Sequence, residues 1–308
     1  MKKAKLKNII NSNPVDAESI QLQQITAVIT KYFAIEKIIC FASTINEVKS
    51  RNCFGSEFLS AEAVAGQNSY ALLIIPSAAE STHDIQIAQR IEVECKPLAK
   101  VAVFVHRMDE INNALSNGSS FFSAIYYSGA VIHDLKQEAF VTPVKGRDIN
   151  KRVIERESFW NHWHNLTLNF LKGAKFYQEA GIDNLAVFSL HQALQHCYSG
   201  VLRVLTGYRT NSNGLPRLLK LVENVLPKQA FATPNRNTPE EIKLSTLLLK
   251  GLGEARYDHN FMITKGELDA MFIRIHHIIE ETNRICRQRI SDIKEGKANY
   301  LQTSNLNN

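Results

Sequence analysis

A chain of 308 residues exceeds what one ordinary hydrophobic core organises and suits two domains of roughly 100–150 residues each. Apolar residues at 44% and charged residues at 21% are ordinary for a globular protein in water. The longest apolar runs, Ala71 to Pro76 and Val101 to Val105, fall well short of the roughly 18 residues that a membrane span needs, so no membrane partner is expected. Up to Asn150, Lys and Arg balance Asp and Glu at 15 against 15; the whole excess of +6 lies beyond it, at 21 against 15. That bias permits contact with phosphate but lacks the dense basic stripe of sequence-independent nucleic-acid binders.

The basic start Met1-Lys-Lys-Ala-Lys-Leu-Lys7 is not followed by an apolar stretch and a small-residue cleavage site, so it does not read as a secretory signal, and a cytoplasmic location is expected. Five scattered cysteines, Cys40, Cys53, Cys95, Cys197 and Cys286, never form C-x-x-C. They argue against a disulfide framework or a zinc knuckle and read as reduced, half-buried packing residues.

In chain order, Val15 to Phe33 has helical spacing after an Asn13-Pro14 turn, and Lys37 to Ser43 is a β-rich run. Asn46 to Ala65 reads as irregular, with turn chemistry at Arg51 to Ser56. Tyr70 to Ile75 is a buried strand closed by Pro76, His83 to Leu98 a helix, Val101 to His106 a second buried strand, and Asp109 to Leu115 a short helix. Phe121 to Asp134 gathers aromatic and β-branched residues around Gly129. Strands joined by helices favour a mixed sheet with helical cover. The polar run Thr142 to Asp148, with Pro143 and Gly146, reads as a linker.

Beyond it the pattern is helical throughout. Arg156 to Ala180 carries a stripe of Trp160, Trp163, Leu166, Phe170, Ala174 and Tyr177, and Gly181-Ile-Asp183 stops this helix and caps the next. Asn184 to Thr206 follows, ended by Gly207. Leu215 to Val225 is a helix stopped by Pro227, and Pro239 to Leu252 is a helix capped by Thr238 with proline at its first position. Glu267 to Ile293 is the last long helix, before a polar tail.

The second half resembles the HEPN family. The resemblance rests on Asn184-Leu-Ala-Val-Phe-Ser-Leu-His-Gln-Ala-Leu-Gln195, Gly214-Leu-Pro-Arg-Leu-Leu-Lys-Leu221 and Glu254-Ala-Arg-Tyr-Asp258, in that order over about 135 residues. HEPN domains often travel with a minimal nucleotidyltransferase, and the first half is similar to that fold. The family's Gly-Ser motif at a strand end corresponds here to Phe41-Ala42-Ser43-Thr44. Aligning its Asp-x-Asp pair on Leu72-Leu-Ile-Ile75 puts Ser69 and Ala71 where two metal-holding carboxylates belong. Val101 to Val105 supplies no third acid, and Asp109 lies past its end. The resemblance therefore implies a retained fold without its two-metal chemistry.

Many HEPN domains are ribonucleases with an R-x4-6-H motif near the last helix, in which His moves a proton and Arg stabilises developing charge. Here two residues separate Arg256 from His259, and the one formal match, Arg156 with His162, lies on the first helix of the bundle. Arg256, Tyr257 and His259 could grip a phosphate and stack on a base, with His191 and Gln195 facing the same cleft. The structural alternative pairs Arg256 with Glu254 or Asp258. His162 and His164, two apart on a helix, point to different faces and read as packing or surface residues, as do His276 and His277; no metal is expected. The basic end Arg284, Arg287, Arg289, Lys294 and Lys297 reads as a solvated helix terminus.

The reading is an α+β protein. Residues 1–141 form a degenerate nucleotidyltransferase-like mixed-sheet domain, 142–154 a linker, 155–293 an all-α HEPN-like bundle and 294–308 a polar tail. Its expected function is nucleotide or RNA binding, without a cofactor, as a homodimer or with a HEPN-type partner. A two-fold dimer would bring two copies of Arg256 and His259 to one cleft, and Trp160, Trp163, Phe170, Phe176 and Tyr177 offer aromatic surface for such a contact. The alternative is a metal-independent RNase of a toxin–antitoxin or defence system, working through Arg256 and His259.

Overall fold

The computed structural model describes residues 17–45, 49–54, 58–59, 67–144, 148–210, 214–226, 233–234 and 236–297. It comprises two compact units that part between Arg147 and Asp148.

The first unit runs α1 (Ala17–Tyr32), β1 (Ile35–Ile45), β2 (Lys49–Asn52), β3 (Phe58–Leu59), β4 (Ser69–Pro76), α2 (Asp84–Glu94), β5 (Lys100–Val105), α3 (Met108–Ser116), α4 (Ser120–Ser128) and β6 (Ala130–Asp134). The described strands form one mixed sheet in the order β3-β2-β1-β4-β5. Strand β1 is antiparallel to β4 along one edge. Along its other edge it pairs with β6 through Lys37–Cys40 and with β2 through Ala42–Ile45. β4 and β5 are parallel, joined by α2. Strands β2 and β3 fall in the stretch read as irregular, because β2 (Lys-Ser-Arg-Asn) has no apolar alternation to betray it and is held by backbone pairing to β1.

One sheet face, with Ile38, Cys40, Tyr70, Leu72, Ile74, Val101 and Val103, packs on Leu22, Ile25 and Ile29 of α1 and Ile87 and Ile91 of α2. These strands are buried on both faces, which is why they read as continuous apolar runs rather than alternating ones. The Lys37 ammonium, itself buried, pairs with Glu36 at 3.0 Å and with Asp134. Glu36 Oε1 also accepts from the backbone N–H groups of Gln137 and Glu138, at 2.9 Å each, so the chain leaving β6 is tied to the start of β1.

The second unit is helical: α5 (Ile149–Glu179), α6 (Asp183–Thr206), α7 (Leu215–Glu223), α8 (Pro239–Lys250), α9 (Glu254–Tyr257) and α10 (Lys265–Lys294). Helix α5 begins with Asp148 as N-cap, inside the stretch read as linker and ahead of the expected start at Arg156. The α5–α6 turn closes at Gly181 (φ +71°), but the N-cap of α6 is Ile182, and Asp183 sits in the first turn, where its charge complements the helix dipole. Helix α6 is the axis of the bundle, buried along Leu190, Leu194, Cys197, Val201 and Leu205.

Trp160 is wholly buried and donates its indole N–H to Asn283 Oδ1 at 2.9 Å. Gly200 on α6 lets α5 come close: a Cβ there would lie 2.9 Å from the Trp163 Cβ and 3.2 Å from the Trp160 ring. Trp163 and Phe170 each stack on His196, at 5.4 and 5.1 Å between centroids. Three of the five aromatics put forward for a dimer contact are thus engaged within this unit; Phe176 stays 65% exposed. All five cysteines are free and buried rather than half-buried.

Candidate functional site

Two places in the molecule bear on function. In the first unit, strand register brings together the four positions singled out in the sequence, Ala42, Ser43, Ser69 and Ala71. Ala42 pairs with Ala71, Ser43 with Tyr70 and Thr44 with Ser69, while Ser69 and Ala71 on β4 lie beside Lys100 and Ala102 on β5. No carboxylate occupies these paired positions. Ala71 has no solvent exposure, and Ala42 and Ser43 are buried. Phe104, two residues beyond Ala102 and so on the same sheet face, stands 4.9 Å from Phe41, which packs with Phe54 and Phe121. Aromatic rings fill the face on which paired carboxylates would have to meet metal and substrate. Among the described residues, no group of three His, Cys, Asp or Glu side chains could hold a metal ion.

The second place lies around Arg256. Helix α8 opens with a capping box in which Thr238 accepts from Glu241 N–H and Glu241 accepts from the Thr238 N–H. Helix α10 opens the same way with Thr264 and Glu267. Arg274 bonds Glu241 at 2.6 Å and Lys243 pairs with Glu267, which ties the two helix starts together. The Lys243 side chain, and then Thr264, hold the Glu267 carboxyl down at about 2.

Between these helices, Gly251 to Gly253 turn the chain into the single-turn helix α9, anchored by buried Ala255. The turn lies directly on α6: a Cβ on Gly251 would be 3.0 Å from the His191 Cβ and 3.2 Å from the Val187 carbonyl oxygen. A side chain there would require the neighbouring atoms to give by a few tenths of an ångström.

This seating aims α9 outward. Arg256 Nε donates to the Leu252 carbonyl at 2.6 Å, and the guanidinium lies over the rings of Phe188 (4.9 Å) and Tyr257 (4.6 Å). The carboxylates considered as its partners are engaged elsewhere: Glu254 pairs with Lys250 at 3.0 Å, and Asp258 Oδ1 accepts from the Asn260 N–H at 2.9 Å. Among the described residues no ion pair engages Arg256, so the far edge of its guanidinium faces solvent. Tyr257 is 78% exposed and Met262 84%. Phe188, one helical turn before His191, is the floor that the sequence reading missed; the spacing 188, 191, 195 along one face of α6 was the signal for it.

His191 is fully buried beneath this turn, its Nδ1 2.8 Å from the Leu248 carbonyl oxygen. Burial, and after it the Arg256 charge, push its pKa below the ordinary imidazole value, against the opposing effects of Leu248 and Gln195. The structure therefore joins Arg256, Tyr257, His191 and Gln195 in one neighbourhood, but with different exposures. Arg256 and Tyr257 present themselves to solvent; His191 lies under them. His259 is exposed beyond α9, with no hydrogen bond to Arg256 among the described residues.

This helical arrangement has a counterpart among known proteins. Residues 161–285 match the HEPN domain family. The match runs from within α5 to within α10 and so takes in α6, the α8–α9 turn and every residue of the Arg256 neighbourhood. No curated protein matches the chain.

The other singled-out groups, within residues 161–285 and beside them, have structural partners or lie exposed. Trp160 stacks on His164 at 5.1 Å, while His162 meets the Trp163 ring edge-on and is exposed. Arg156, just ahead of the segment, is buried and donates to the Arg203 carbonyl, so it cannot act with exposed His162. His276 and His277 are both exposed on α10. At the basic end of that helix, Arg284 bonds Glu281, Arg287 bonds Asn161 and Lys297 pairs with Glu295. No helix among the described residues is long and apolar enough to cross a membrane.

Proposed function

We propose that this protein is a cytoplasmic nucleotide- or RNA-binding module in which the HEPN bundle makes the contact and the first unit is a nucleotidyltransferase-like fold without its chemistry. The observation that carries the reading is the state of Arg256. A guanidinium held over two aromatic rings, fixed through Nε and with no ion pair among the described residues, suits contact with a phosphate, and exposed Tyr257 beside it offers a face for a base. The reading of the first unit is supported by the sheet order and by buried Ala42, Ser43 and Ala71 at the end where carboxylates would be needed. Exposed Tyr257 and Leu252 beside the guanidinium, and exposed Met262 between α9 and α10, favour pairing with a second copy or another HEPN bundle, which would enclose the ligand between two such surfaces.

Calorimetric titration with ATP, GTP and short RNAs tests the reading. Heat of binding from at least one, lost in Arg256→Ala, is expected; no heat from any of them at millimolar ligand would overturn it.

A further inference from the structure

The His191 imidazole is the titratable group nearest to being part of the Arg256 site without touching its surface. Its Nδ1 faces the Leu248 carbonyl, which fixes that nitrogen as the N–H donor. Among the described residues its buried Nε2 has no hydrogen-bond partner within normal length, and neither has Gln195 Oε1, buried one helical turn along α6, although the Gln195 side chain already favours a proton on the ring. A second proton on the ring would give Nε2 an N–H and offer it to a side chain that supplies an acceptor. Elements packed on the ring contribute the Leu248 carbonyl and the Gly251 backbone from α8 and its turn, Arg256 from α9, and Gln195 from α6 itself. Arg256 is the charged group that acts on it.

We infer that His191 makes the site pH-responsive: an anion bound at Arg256 draws a proton onto the buried imidazole, so the site holds its ligand more tightly in mild acid. The inference rests on the reading of Arg256 as the phosphate contact. Without ligand, two things oppose the second proton: burial of the ring and the guanidinium charge beside it. A phosphate at Arg256 cancels the second, and the new Nε2–H can then be given to Gln195. Because linkage is reciprocal, whatever favours the proton when ligand is bound favours the ligand when the proton is bound. The gain in affinity appears as pH falls through the proton affinity of the liganded ring and levels off below that of the free one.

The test uses the full unmodified chain, with a 5′-hydroxyl oligouridylate as probe, and reads the difference between it and the His191 variant. Neither the diester phosphates nor the uracil rings of this probe change charge over the range used. Affinity is expected to rise about fivefold, the low end of ordinary coupling between sites, from about pH 8 to about pH 5.5. It should stay flat in His191→Asn, whose amide can still donate to Leu248. Binding that is present but independent of pH, or a rise that persists in His191→Asn, overturns the inference and leaves the Arg256 contact standing. No binding at any pH overturns both. A second measurement needs no His191 variant: the ring titration followed by NMR should move to higher pH when the oligouridylate is added, and an unmoved titration overturns the inference.

Discussion

Replacing Gly251 by Ala is the smallest change that reaches the Arg256 site without touching it. Gly251 has ordinary right-handed backbone angles (φ −55°, ψ −29°), so alanine brings no backbone strain, and reduced freedom of the unfolded chain alone would stabilise by about 0.4–1 kcal/mol. Against this, the new methyl meets the His191 Cβ at 3.0 Å, the Leu248 oxygen at 3.0 Å and the Val187 oxygen at 3.2 Å. The Leu248 oxygen belongs to the preceding turn of the same helix, but the Val187 oxygen is backbone of α6 and cannot swing aside. Overpacking of this kind costs about 1–3 kcal/mol, so a net loss of about 1–2 kcal/mol is expected in urea unfolding. The turn must also lift from α6, taking with it Leu252, whose carbonyl orients the guanidinium, so RNA affinity should fall while the bundle stays folded. Gly253→Ala is the control, because nothing lies within 4 Å of its would-be Cβ. Equal stability and equal affinity in the two variants would refute the seating of this turn as the device that aims Arg256.

Three further outcomes follow from the same structure. Ala71→Asp restores a carboxylate to the sheet but buries it among apolar neighbours, so it should cost on the order of 4 kcal/mol in chemical denaturation and yield no metal-dependent nucleotidyl transfer; a stable, active variant would contradict the closed sheet end. Burial, ahead of any charge effect, depresses His106, His164, His191 and His196 in the folded state, so their contribution is fully present above the ordinary imidazole value of 6.5 and is lost as pH falls below it; the midpoint of thermal unfolding should drop there. Light scattering at micromolar concentration should report about twice the 34.8 kDa chain mass, and a monomer would remove the composite site between two copies.

What could be read from the residues depended on whether a signal was local. Helix caps were legible because they act locally, Thr238 through its own side chain ahead of Pro239 and Gly181 through its own backbone, and the buried strands β4 and β5 because their runs are continuous. Strand β2 was hidden, since Lys-Ser-Arg-Asn becomes a strand only through its register with β1. The aromatic stripe of α5 looked too broad for one bundle because the imidazole of His196, on which Trp163 and Phe170 each stack, lies on another helix. In the candidate site, Arg256 and Tyr257 could be named from the residue types alone. That Arg256 has no carboxylate partner, although acids stand two residues away on each side, depends on Lys250 and the Asn260 backbone having engaged them first. Phe188 as the floor and His191 as the buried support required the fold.

If Arg256 contacts a phosphate, the salt dependence of RNA affinity reports that contact. Each phosphate contact on a single strand contributes about 0.7 to the slope of log affinity against log salt. Arg256→Ala is expected to bind a short RNA more weakly and with a slope smaller by about that amount, while thermal unfolding is unchanged, because the exposed guanidinium contributes little to stability. An Arg256→Ala protein with the affinity and the salt slope of the parent would contradict that contact.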